Sequence, residues 1–138
     1  MDFASVLLTT FISTVLMTAF SYVITLIFQI NLVEPYWLNR VLFKGKQNFK
    51  PVAWILHFIT GIGFLYLLLF LLQFLENNFL INGLIIGMIE GIIGIAMWQL
   101  LFSIKFKPAT LKKRWYYFNL LGAHLVFSFT ALYIIYGL

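Results

Sequence analysis

Apolar positions in this chain fall in four long blocks rather than in narrow stripes. Uncharged runs cover residues 3–33, 51–75 and 115–138, and a fourth, 77–104, is broken only by Glu90. A helix needs about 20 apolar residues to cross the hydrocarbon core of a bilayer. Each run meets that length. The pattern predicts an all-α membrane protein, a bundle of four transmembrane helices over residues 4–33, 51–75, 81–104 and 115–138. These spans use nearly the whole of 1–138, so one membrane domain is expected and no separate soluble one.

Composition agrees with this reading. The chain is 63% hydrophobic and 9% charged, with mean hydropathy +1.01, whereas about 25% of residues in a soluble domain are charged. The first run has Asp2 rather than a basic flank and is too long for a cleaved leader, so it is read as a retained helix. Cysteine is absent, which excludes disulfides and thiolate metal sites.

Charge sets the expected topology. Arg40, Lys44, Lys46 and Lys50 lie between the first and second runs; Lys105, Lys107, Lys112, Lys113 and Arg114 lie between the third and fourth. These are all nine basic residues. Basic loops stay on the cytoplasmic side, so both termini are expected outside. The net charge of +5 then calls for anionic headgroups as a partner, not nucleic acid. Within the first basic loop, Pro35 to Phe43 reads as a short interfacial helix. Its Trp37, Leu38, Val41 and Leu42 would face the membrane and Arg40 water. Aromatic residues at this end, Tyr36, Trp37, Trp54 and 115–117, suit an interfacial belt.

The even-numbered spans share a pattern. His57 is followed by Gly61 and then Leu65-Tyr66; His124 is followed by Ser128 and then Leu132-Tyr133. This suggests a repeat of two hairpins, 1–75 and 76–138, with both histidines at similar depth. A His pair at equal depth admits a proton relay, axial ligation of one haem b, or two neutral side chains hydrogen-bonded in the core.

Glu90 sits in the segment 83–94, GLIIGMIEGIIG. At about 100° per residue, Gly83, Gly87, Gly91 and Gly94 form one stripe, and Glu90 falls within it. Small-xxx-small spacing lets helices approach closely in lipid, so the stripe is expected to pack on another helix. The expected partner is the hydroxyl face of the first span, with Thr14 and Ser21 placed to meet Glu90; Gly61 is a further packing position. The same seam in a second copy of the chain is the alternative. Glu90 itself reads as hydrogen-bonding glue or as a proton or cation carrier. Nucleotide-binding glycine loops, zinc-protease spacings and paired carboxylates near water are all missing, which argues against an enzyme.

The chain resembles a broad group of small bacterial four-helix integral membrane proteins. Met17-Thr18, Pro35-x-x-Leu38, Trp54-x-x-His57-x-x-x-Gly61, Gly87-x-x-x-Gly91, His124 and Tyr136-Gly137 carry the resemblance; Ser128 stands where such proteins often have Gly. It implies this fold and a bacterial inner membrane, and no activity. The expectation is therefore a non-enzymatic membrane component, a homo-oligomer or a subunit of a larger membrane complex, with no cofactor. A proton-coupled carrier or channel using Glu90, His57 and His124, and a bis-His haem b electron-transfer subunit, remain as alternatives.

Overall fold

A computed structural model describes residues 1–76 and 78–138; Asn77, in the expected link between the second and third spans, lies outside the described residues. Among the described residues the chain is all-helical. The five helices are α1 (Phe3–Phe28), α2 (Glu34–Phe43), α3 (Lys50–Leu72), α4 (Phe79–Ile104) and α5 (Lys113–Tyr136), with a short 3-10 turn at Gln47–Phe49. All but α2 are long and apolar enough to cross a membrane. Local chemistry sets their ends. Asp2 caps α1 by accepting from the Ser5 N–H at 2.7 Å, and Asn78 caps α4 by accepting from Ile81 at 3.0 Å. Proline opens α2 and α3.

The first span is shorter than expected. It stops at Phe28, where Gln29 takes the left-handed conformation, and Leu32 and Val33 leave the helix for a buried turn. The Leu32 N–H donates to Thr25 Oγ1 at 3.0 Å, and the Trp37 indole donates to the Asn31 carbonyl at 2.8 Å. Leu32 and Trp37 belong to a second cluster at the basic end, with Leu111, Tyr116 and Leu120. So Trp37 and Val41 do not face the membrane. Both are buried against the protein, as is Tyr116, whereas Tyr36 and Trp115 remain exposed. An apolar side chain at a loop can go to lipid or to core, and here α2 closes the base of the bundle.

In the bundle α1 lies between α3 and α5, α5 lies between α1 and α4, and α2 packs on α3. The fourth side is different: α3 and α4 barely touch. Were the two hairpins equivalent, α1–α5 and α3–α4 would be matching interfaces. The first is packed tightly, with Gly122 of α5 receiving the Phe20 ring. The second is parted.

The glycine stripe of α4 packs on α5, not on α1. A Cβ at Gly87 would meet Leu125 Cα at 2.9 Å and the His124 carbonyl at 3.3 Å; one at Gly91 would meet Leu121 Cα at 3.1 Å. Gly83 fits against the Phe129 ring. The seam is therefore filled within one chain. The hydroxyl face of α1 receives α3 instead, where Gly61 abuts Thr10 and Thr14. Hydroxyls occupy little space and let a glycine come close, which is why this face suits α3 as well as it would have suited α4.

Candidate functional site: a cavity within the bundle

Where α3 and α4 part, the helices enclose a cavity of about 310 Å³. Every helix contributes to its wall. Met17 comes from α1; Glu34, Leu38 and Leu42 from α2; Leu56, His57, Thr60, Gly61 and Phe64 from α3; Gly94, Met97, Trp98 and Leu101 from α4; Leu120 and His124 from α5. The lining is apolar except for a few polar groups, the usual make-up of a small-molecule site. His57 lies seven residues into α3, so the cavity sits in the half of the bundle nearer the basic loops, roughly 10 Å from the start of that helix.

Both histidines line this one cavity, and their ring nitrogens are engaged differently. Thr18 Oγ1 donates to the Thr14 carbonyl at 2.7 Å. Its oxygen is thus left to accept from His57 Nε2 at 2.9 Å, which places the proton of a neutral His57 on Nε2. His124 lies against Phe64, with ring centroids 4.4 Å apart. Its Nε2 is 2.8 Å from where a Cβ on Gly94 would stand, so a larger residue there would displace the ring. Its Nδ1 is buried and, among the described residues, has no hydrogen-bond partner. One Nε2 turns to α1 and the other to α4. They do not face a common centre, and this arrangement does not fit bis-His ligation of a haem. Among the described residues no group of three or more His, Asp or Glu side chains could hold a metal ion.

A further polar wall is Glu34, which lies in the basic loop between the first two apolar runs. Only 3% of it is exposed. Glu34 Oε1 accepts from Ser21 Oγ at 2.8 Å and from Asn119 Nδ2 at 3.2 Å; Asn119 Nδ2 also donates to the Leu32 carbonyl at 3.0 Å. This network ties α1, α2 and α5 together at the base. Glu34 Oε2 is buried and has no partner among the described residues. Loss of hydration pushes the Glu34 carboxyl up to about 7, and the pull of its own backbone N–H and of its bonds to Ser21 and Asn119 opposes that only partly. Ser21 therefore serves Glu34 rather than Glu90. Asn119 is the other residue that sequence reasoning passed over; a lone amide inside an apolar span was the available signal.

Glu90 is fully buried, one helical turn beyond Ile86, which belongs to the main core with Phe64, Leu65, Leu68, Phe127 and Leu132. It is not in the cavity wall. Neither carboxyl oxygen has a hydrogen-bond partner among the described residues, and the same holds for the hydroxyls of Thr10, Ser13 and Thr14. The expected bonds from Thr14 and Ser21 to Glu90 are not formed, because the stripe that carries it docks on α5. The structure thus brings His57 and His124 to one cavity with Glu34, and leaves Glu90 apart.

No known protein family, curated protein or solved structure matches this chain. The resemblance drawn above rests on its short motifs alone.

Proposed function

We propose that this protein is a non-enzymatic, multi-pass membrane component that holds a small, mainly apolar molecule inside the bilayer, in the cavity between α3 and α4. The observation that carries this reading is the parted α3–α4 side, whose cavity is lined mainly by apolar side chains, with Glu34, His57, Thr60 and His124 among them. A molecule dissolved in lipid would enter sideways, without crossing a polar surface. Both basic loops would be cytoplasmic and both termini outside, as the distribution of lysine and arginine supports. Phe106, flanked by Lys105 and Lys107 and 99% exposed, suits insertion among anionic headgroups at that face. A bacterial inner membrane is the setting that the motif resemblance implies. The glycine seam, filled by α5, no longer argues for a homo-oligomer or for an accessory subunit docked through it.

The test is binding of a compact apolar probe, 1-adamantanol, to the protein in lipid nanodiscs, against empty discs. Wild type should bind it saturably, and Thr60→Trp, which adds bulk at the cavity wall, should abolish binding while helix content is kept. Equal binding by both proteins would refute the reading.

A second reading is favoured by one observation: Glu90 is buried without a hydrogen-bond partner among the described residues, as befits an intramembrane proton carrier. It expects pH-driven flux in liposomes that Glu90→Gln abolishes, with binding in the cavity unchanged.

A further inference from the structure

A second opening lies at the basic end of the bundle, apart from the α3–α4 cavity and independent of the role given to it. It is a cleft of about 410 Å³ where the turn after α1, the helix α2 and the loop from α4 to α5 meet. Ile30 and Trp37 form its apolar part. The rest of its lining is polar: Gln29, Asn31, Tyr36, Arg40, Thr110 and Lys112. All six are exposed, so a bound molecule can reach them. None is an acid, and what they offer is mainly donors. The Asn31 side-chain oxygen accepts from the Val33 N–H at 3.1 Å, which leaves its Nδ2 to donate. Tyr36 and Thr110 add hydroxyls, and Arg40 and Lys112 add two cations.

Neither cation has an acidic partner among the described residues. The four acids of the chain are engaged or placed elsewhere. Asp2 caps the start of α1, Glu76 follows α3 at the opposite end, and Glu90 lies within α4. The Glu34 carboxyl turns to Ser21 and Asn119, and no basic side chain acts on it. The walls of the cleft are held by other bonds. Lys107 Nζ donates to the Pro108 and Leu111 carbonyls, each at 3.1 Å, which fastens the loop that presents Thr110 and Lys112. Trp37 Nε1 donates to the Asn31 carbonyl at 2.8 Å, which ties the facing turn to α2. Next to the cleft, one residue before Gln29 and three after Lys112, the Phe28 and Trp115 rings sit 5.4 Å apart. Leu26 and Ile27 are exposed on the same end of α1. A polar, cationic cleft therefore adjoins an apolar surface.

We infer that this cleft binds one anionic phospholipid, its phosphate held by Arg40 and Lys112 and its acyl chains lying along the adjoining ends of α1 and α5. Phosphate is the chemistry that two unpaired cations among neutral donors recognise. A soluble phosphate ester carries the same group, but the apolar surface beside the cleft would give it nothing, so the lipid is the favoured source. A zwitterionic head brings its own ammonium, which Arg40 and Lys112 repel. Each basic residue at such a surface contributes about fivefold to the affinity for an anionic lipid.

The experiment adds dioleoylphosphatidylglycerol or dioleoylphosphatidylcholine to the delipidated full chain in a neutral detergent and follows bound lipid by native mass spectrometry. Wild type should bind one phosphatidylglycerol about tenfold or more tighter than phosphatidylcholine. Arg40→Gln combined with Lys112→Gln should remove that preference with helix content kept. Lys46→Gln combined with Lys105→Gln takes the same charge from exposed positions outside the cleft and should preserve it. Thr60→Trp should preserve it too. A phospholipid is also far heavier than a molecule that fits the α3–α4 cavity of about 310 Å³, so the two occupants separate by mass. No preference in wild type, or an equal loss in both double variants, would overturn the inference and leave the cavity reading standing. An equal concentration of glycerol 3-phosphate should leave the lipid bound; displacement by it would overturn the lipid in favour of a soluble phosphate ester.

Discussion

Two buried carboxylates sit in opposite circumstances, and that difference decides what their substitution should do. Among the described residues Glu90 has no partner for either oxygen, so it weakens the core. Glu90→Met should be at least as stable as wild type, by up to about 1–3 kcal/mol, in a reversible unfolding titration in mixed micelles. A comparable loss instead would show that Glu90 bonds to something that stabilises the fold. Glu34 is bonded through Oε1, yet burial still favours its neutral form. Its carboxyl titrates near 7 when folded and near the ordinary 4.5 when unfolded. Between those values the folded state holds the extra proton, so stability falls as pH rises from about 4.5 to 7 and then levels. Melting of the protein in nanodiscs across that range should show the decline, and Glu34→Gln should flatten it. Neither circumstance is written near these residues in the chain. A carboxylate in a basic loop reads as solvated, and only its burial beside Ser21 and Asn119, far off in the chain, makes it otherwise.

At the scale of helices, glycine positions distinguish packed faces from lipid-facing ones. A Cβ at Gly87 runs into backbone of α5, which cannot swing aside, whereas one at Gly63 meets nothing within 4 Å. Gly87→Ala should cost about 1–3 kcal/mol, and Gly63→Ala should be neutral or gain up to about 1 kcal/mol from helix propensity. Unfolding of both variants under one set of conditions checks the contrast; equal effects would mean that α4 and α5 are not in register as described. The existence of the four spans was legible, because apolar run length and the gaps of charge between runs are local properties. That Gly83, Gly87, Gly91 and Gly94 form a packing stripe was legible too, from period alone. Its partner was not. The hydroxyl face of α1 and the face of α5 carrying Leu121 and Leu125 both admit glycines, and the choice between them depends on how all the helices pack at once. Likewise, the amphipathic pattern of α2 shows that one side avoids water and cannot say whether that side meets lipid or Leu32, Leu111 and Tyr116.

For the molecule as a whole, the helices make a bundle packed on three sides and open on the fourth, with α2 closing its base. The shared His, small-residue and Leu-Tyr spacing singled out His57 and His124 as a pair, and both side chains line one cavity. The cavity was not, since a parted interface leaves no mark in a chain whose every apolar face suits lipid. The proposed topology has its own check. With no native cysteine, single cysteines at Asp2, Leu138 and Lys107 report position cleanly. A membrane-impermeant thiol reagent added outside should label the first two and not the third, and labelling of Lys107→Cys alone would invert the topology.

The central claim is that the α3–α4 cavity holds a lipophilic molecule, and the most direct measurement is the native mass of protein released gently from its own membrane. Wild type should carry a reproducible excess over the 16.1 kDa chain, small enough for one ligand in about 310 Å³, and Thr60→Trp should lose it. Bare chain mass in both proteins, or the same excess in both, would contradict the account.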